Sequence, residues 1–164
     1  MDFTKLGGLL DEQETWLHLE VGGKPLYLED GLPSITKTDK PTRVRLRGVS
    51  APAVVNYLKA IERAQLAHRD RVSRASDKEI DKLAKRFQDS MDSMMTKAVA
   101  ASIVDWENVN DDGEKPNAES IDALVNPATA PDDRAAFIIT AIRGQIYAHI
   151  TEQRQLFTDA ARAR

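Results

Sequence analysis

The chain contains no cysteine, which excludes disulfides, thiolate metal sites and a cysteine nucleophile, and leaves the compartment unfixed by redox chemistry. Aromatics are scarce: two Trp, three Tyr and four Phe among 164 residues, so a core has to be aliphatic. No apolar run approaches the roughly 20 residues of a membrane span. The N-terminal residues lack the basic and apolar regions of a signal peptide. Neither sign of charge dominates; the net charge is −3 at pH 7 with acids and bases interspersed, which argues against a nucleic-acid footprint or a membrane-surface binder. A catalytic constellation is missing as well. His18, His68 and His149 lie on three separate segments without paired spacing, and no nucleophile elbow, phosphate-cradling glycine loop or His-Glu-x-x-His occurs. His149 sits on an apolar stripe, where a satisfied core histidine is the commoner reading than a ligand. The expectation is a soluble, cytoplasmic, non-enzymatic protein with no cofactor and no bound metal.

What is present is a change of period along one chain whose length fits a single domain. Residues 1–14 read as a loosely held arm. Residues 15–48 read as one small antiparallel sheet. Trp16, His18 and Glu20 alternate with Leu17, Leu19 and Val21, Gly22-Gly23 marks a hairpin turn, and Pro25-Leu26-Tyr27-Leu28 resumes the strand. Arg43-Val44-Arg45-Leu46-Arg47 supplies a third strand with Val44 and Leu46 toward a core, and residues 32–41 are a loop with two prolines. The three arginines suit a solvated or charge-protected strand face better than a phosphate site, because no basic groove or stacking platform accompanies them.

Residues 49–158 read as a helical body. Ser50 is a candidate N-cap with Pro52 in the first turn, and Val54, Val55, Leu58 and Ile61 repeat at helical spacing as far as about Arg74. Ser76-Asp77-Lys78-Glu79 reads as a capping box. The stripe after it is the clearest in the chain: Ile80, Leu83, Ala84, Phe87, Met91, Met94, Met95 and Ala98. Its methionines suit either an irregular core or an adaptable partner surface. Asn117 caps a short helix, and Pro131-Asp132-Asp133 opens a last one carrying Ile138, Ile139, Ile142, Ile146, His149 and Ile150. Gly144 within that helix suggests a close helix crossing. Residues 159–164 are expected to fray. The fold class is therefore α+β, mainly helical, with a small N-terminal antiparallel sheet followed by a helical body.

Between the two long stripes lies Asp105-Trp106-Glu107-Asn108-Val109-Asn110-Asp111-Asp112-Gly113-Glu114-Lys115-Pro116, an elbow with Trp106 as its anchor, Gly113 in a tight turn and Pro116 as a stop. Asn108, Asn110, Asp112, Gly113 and Glu119 approach the spacing of a twelve-residue calcium loop. Asn at the first position, Lys115 after the seventh and Pro116 at the ninth favour a plain acidic turn.

Three features in order resemble the tail assembly chaperones of long-tailed, siphovirus-like bacteriophages. One is Lys40-Pro41-Thr42-Arg43-Val44-Arg45-Leu46-Arg47-Gly48 running into Ser50 and a charged helix with Tyr57. Another is Val104-Asp105-Trp106-Glu107-Asn108-Val109 followed by Asp112-Gly113-Glu114-Lys115-Pro116. The third is a closing helix ending Arg154-Gln155-Leu156-Phe157. The resemblance covers about residues 15–158 and departs from the family at Asn117-Ala118-Glu119, where an aromatic and a Ser or Thr cap are commoner. It implies a non-enzymatic protein that binds the long helical tape-measure protein, keeps it soluble and helps tail-tube protein polymerise around it. It also implies a host-cytoplasmic location, absence from the mature virion and, in many such phages, a frameshifted longer form. Self-association stays open. On that reading the docking surface is expected at Met91, Met94 and Met95 with Ile138 or Ile142, while Arg43, Arg45 and Arg47 set solubility and encounter rate. Two other classes stand beside it: a virion structural or head–tail joining protein, and a regulator or enzyme of small molecules.

Overall fold

The computed structural model describes residues 14–48 and 51–162 and is α+β, mainly helical, with a small antiparallel sheet. The sheet has the order β1 (Thr15–His18), β6 (Arg43–Leu46), β7 (Ile103–Glu107). Two short hairpins hang from it. Strands β2 (Glu20–Val21) and β3 (Lys24–Pro25) are joined through Gly22 and Gly23 at φ 60 and 73. Positive φ at both central residues gives the turn the twist that flanking strands need. Strands β4 (Tyr27–Glu29) and β5 (Leu32–Ser34) are joined through Asp30-Gly31 with the same paired positive φ. Residues 32–34 therefore pair as a strand where sequence suggested loop.

The third strand of the sheet comes from mid-chain. Trp106 does not stand between two helices. It lies in β7, opposite Val44 of β6, which in turn lies opposite Leu17 of β1. A register shift between Arg45 and Leu46 lets Ile103 and Trp106, three residues apart, both turn inward, with 4 % and 5 % exposure. A regular strand would put them on opposite faces.

Among the described residues there are four α-helices, and three of them open on caps that the sequence supplies. Helix α1 (Pro52–Arg74) starts at Pro52 with Ala51 as N-cap; the expected Ser50 cap lies outside the described residues. Helix α2 (Asp77–Ser102) opens on the Ser76–Glu79 capping box, Ser76 N donating to Glu79 at 3.1 Å. Helix α3 (Ala118–Val125) is capped by Asn117, whose side chain accepts from Ser120 N at 2.9 Å. After a 3₁₀ turn at Pro127–Thr129, helix α4 (Asp133–Arg162) begins with Asp132 accepting from Ala135 N at 2.8 Å and continues past residue 158. Gly144 does not mark a crossing, since a Cβ built there would meet nothing within 4 Å.

The core forms where the inner sheet face meets the base of α1, the second half of α2 and the middle of α4. Val44 and Leu46 from the sheet, Val54 from α1, Val99 from α2, Val125 from α3 and Ile146 from α4 are fully buried. Gln145 of α4 ties the helix to the sheet edge, accepting from Glu20 N at 2.9 Å and donating to His18 O at 3.1 Å. Beyond this junction α1 and α2 continue as an antiparallel hairpin, and no residue from 62 to 90 is buried.

Candidate functional site

The stripe expected to dock a partner is mostly internal. Met91 is 8 % exposed and Ile142 5 %, both inside the core, and Met94 and Met95 are half-buried against it. Only Ile138 reaches the surface, on the first turns of α4 next to the exposed Phe137. The five residues therefore do not form an open groove: α3 and α4 cover that part of α2. The sequence stripe was long enough to serve two purposes, and its C-terminal half is spent on the core.

The arginine strand faces outward but is committed to its own sheet. Arg43 donates to Glu107, the Nε–Oε2 distance being 3.1 Å; Arg45 lies 3.5 Å from Asp105 and 3.2 Å from Glu14. Both guanidinium groups flank the ring of Trp16, at 5.5 and 5.7 Å from its centroid. Arg47 Nε donates to Ala101 O at 3.0 Å. This is a cross-strand lattice of opposite charges, with an aromatic held between cations.

The elbow loop uses its polar groups on itself and on the sheet. Trp106 Nε1 donates to Glu114 O at 2.7 Å, so the buried indole is satisfied. Asn108, at φ 54, donates from its side chain to Pro41 O at 2.9 Å, and its carbonyl accepts from Thr42 Oγ1 at 3.0 Å. Asp112 accepts from Glu114 N at 3.1 Å, Gly113 turns at φ 67, and Pro116 is half-buried. Glu119 belongs to α3. Among the described residues no group of three or more His, Asp or Glu is placed to hold a metal ion. Lys115 Nζ lies 3.0 Å from both oxygens of Asp105 and holds that carboxyl below its usual value, against the opposing effect of burial.

The histidines do not converge. His18 bonds Leu26 O at 2.7 Å, His149 meets Thr15 Oγ1 at 3.1 Å, and His68 stacks on Phe87. Burial lowers the pKa of His149, with Glu152 opposing. A second polar feature is Arg143, 5 % exposed, which bonds Thr96 Oγ1 at 3.1 Å and Asp92 at 3.0 Å beside a cavity of about 440 Å³. Its Nε is buried without a hydrogen-bond partner among the described residues. Asp89, Lys97 and Asp122 also line the cavity, and the buried cation is already answered by Asp92. Arg143 acts as a clasp between α2 and α4.

Among the described residues, the projecting hairpin also offers open surface. A groove runs between α1 and α2, seen as two adjoining cavities of about 470 and 260 Å³ that share Arg71, Leu83 and Arg86. Leu83 belongs to the stripe read from sequence, whereas Arg71 and Arg86 were not singled out there. From α1, half-buried Ala64 and exposed Ala67 line the smaller cavity. Among the described residues no helix is long and apolar enough to cross a membrane. No family model, curated protein or solved structure matches this chain.

Proposed function

We propose that the protein is a tail assembly chaperone of a long-tailed bacteriophage, which holds the helical tape-measure protein soluble while tail-tube subunits polymerise around it. The observation that carries this reading is the order and spacing of the three resembling segments. Two of them, about sixty positions apart, are adjacent strands paired Val44 to Trp106 and Arg43 to Glu107, and so belong to one structural unit. The helical hairpin supports the same reading from another side. It offers a half-open apolar seam outside the core, the kind of surface an amphipathic helix can lie along. The chemistry asked of such a protein is capture of apolar surface, for which neither metal nor cofactor is needed. The protein acts in the host cytoplasm and is left out of the finished particle.

The test is co-expression with the phage's own tape-measure protein, followed by mass spectrometry of purified virions. The expected result is a soluble tape-measure complex and particles without this chain. A tape-measure protein equally soluble alone would overturn the reading. Fixed stoichiometry of this chain in virions would replace it with the head–tail joining role.

A further inference from the structure

The groove on the hairpin has a sign as well as a shape. Its floor is apolar and shallow: Ala64 and Ala67 from α1, Leu83 from α2, and the His68 ring stacked on Phe87 with centroids 3.9 Å apart and planes 5° from parallel. Its rim carries Arg71, Arg74, Lys82 and Arg86 against Asp70 and Glu79. Four cations face two anions, so the rim is net positive. Asp70 pairs with Arg74 at 3.1 Å, and Glu79 accepts from the backbone and hydroxyl of Ser76 at 3.1 and 3.0 Å. Arg71, Lys82 and Arg86 have no ion partner among the described residues. Between Ala64 and Ala75 the α1 wall rises about 16 Å at 1.5 Å per residue, the length of about three turns of a guest helix.

We propose that this groove docks an acidic amphipathic helix from another protein. Its apolar stripe lies on the Ala64–Ala67–Leu83 floor, and its flanking Glu or Asp side chains meet Arg71, Lys82 and Arg86. Charge complementarity selects the occupant, because a neutral helix would leave three cations facing apolar surface and a basic one would be repelled. A second copy of this chain has little to offer. Of the helices described only α3 is net acidic, and its apolar side chains Ile121, Leu124 and Val125 are packed on the core. The inference concerns the bound helix and does not require that it come from a tape-measure protein. Its failure would leave the chaperone reading standing with capture elsewhere on the body.

The experiment uses the full chain and two fluorescent designed peptides of about four heptads. They share one leucine stripe and carry either Glu or Lys at the flanking positions. Fluorescence anisotropy at low salt is expected to show the Glu peptide binding at least about tenfold tighter than the Lys peptide, the gap narrowing at high salt. The double variant Arg71→Glu/Arg86→Glu should reverse the preference. Both positions are exposed, so unchanged thermal unfolding is expected to show that the fold is kept. No binding of the Glu peptide, equal binding of both peptides, or an unchanged preference in the double variant overturns the proposal. Concentration-dependent self-association abolished by the same variant overturns it in favour of a second copy.

Discussion

The sheet junction and the distal hairpin are built from similar amphipathic patterns, yet they bury them to different depths. Along β6 Val44 and Leu46 are 0 % exposed, because α1, α2 and α4 close over the inner sheet face. Along the hairpin Leu83 and Phe87 stay half-buried, Phe87 packing on the edge of the core. An apolar period reports which side of an element is sticky, and the number of layers stacked on that side decides whether it is covered. One helix shows both outcomes: Met91 and Val99 of α2 are core, while Leu83, two turns earlier, lines an open groove.

The sharpest way to break this contrast is at Trp106. The indole is 5 % exposed and its N–H bonds Glu114 O, so Trp106→Ala removes packing at the junction together with the elbow's tether. It should cost about 3–5 kcal/mol, as large-to-small core substitutions do. Urea unfolding followed by circular dichroism measures it. A midpoint equal to the parent's would mean that the junction is not the stable half. At Leu83 the expectation is smaller and local. Leu83→Ala should cost about 1–2 kcal/mol, below the range for fully buried leucine, and the loss should appear as faster amide exchange in residues 62–90 with the sheet unaffected. Equal acceleration of exchange in β6 and β7 would show that hairpin and junction open as one unit.

A smaller effect, of opposite sign, is expected within the junction. Gly144 is helical and an added methyl would meet nothing, so Gly144→Ala should raise stability by about 0.5–1 kcal/mol. A fall in thermal midpoint would mean that α4 needs close approach there after all.

Much of the helical layout was legible because its punctuation is local. Glu79 reaches back to accept from Ser76 N, and Asn117 and Asp132 each cap the helix they precede through their own side chains. The Gly22-Gly23 hairpin was legible for the same reason. Strand β7 was not, because Ile103-Val104-Asp105-Trp106 breaks the two-residue period, and only the bulge opposite β6 restores a common inner face. Asp30-Gly31 did carry a hairpin signal, masked by Pro33 on the following strand. That Met91 and Ile142 are core was not legible for a third reason. Whether Met91 is covered depends on α4, which follows it by about forty positions, and no local pattern encodes that. The groove cations were equally hidden, since Arg71 and Arg86 become neighbours only when α1 and α2 fold back on each other.

The smallest expected effect tests the outer face of the junction sheet. Asp105 is held below its ordinary value of 3.8 mainly by the Lys115 ammonium, with Trp106 N–H and Arg45 helping against burial. A carboxyl whose pKa is depressed in the folded state contributes stability that is present above the unfolded value and lost as pH falls through the folded one. The loss therefore lies at the acid end, below about pH 4. Lys115 is 78 % exposed, so screening keeps the contribution under about 1 kcal/mol. Lys115→Ala should lower the urea midpoint slightly at neutral pH, and the gap to the parent should close on acidification. Added salt should narrow the neutral-pH gap as well, because one partner is open to solvent. A gap that persists unchanged from neutral pH to about pH 2, where carboxylates are protonated, would assign the effect to the packing of the lysine stem. The outer face would then contribute no electrostatic stability to the junction through this pair.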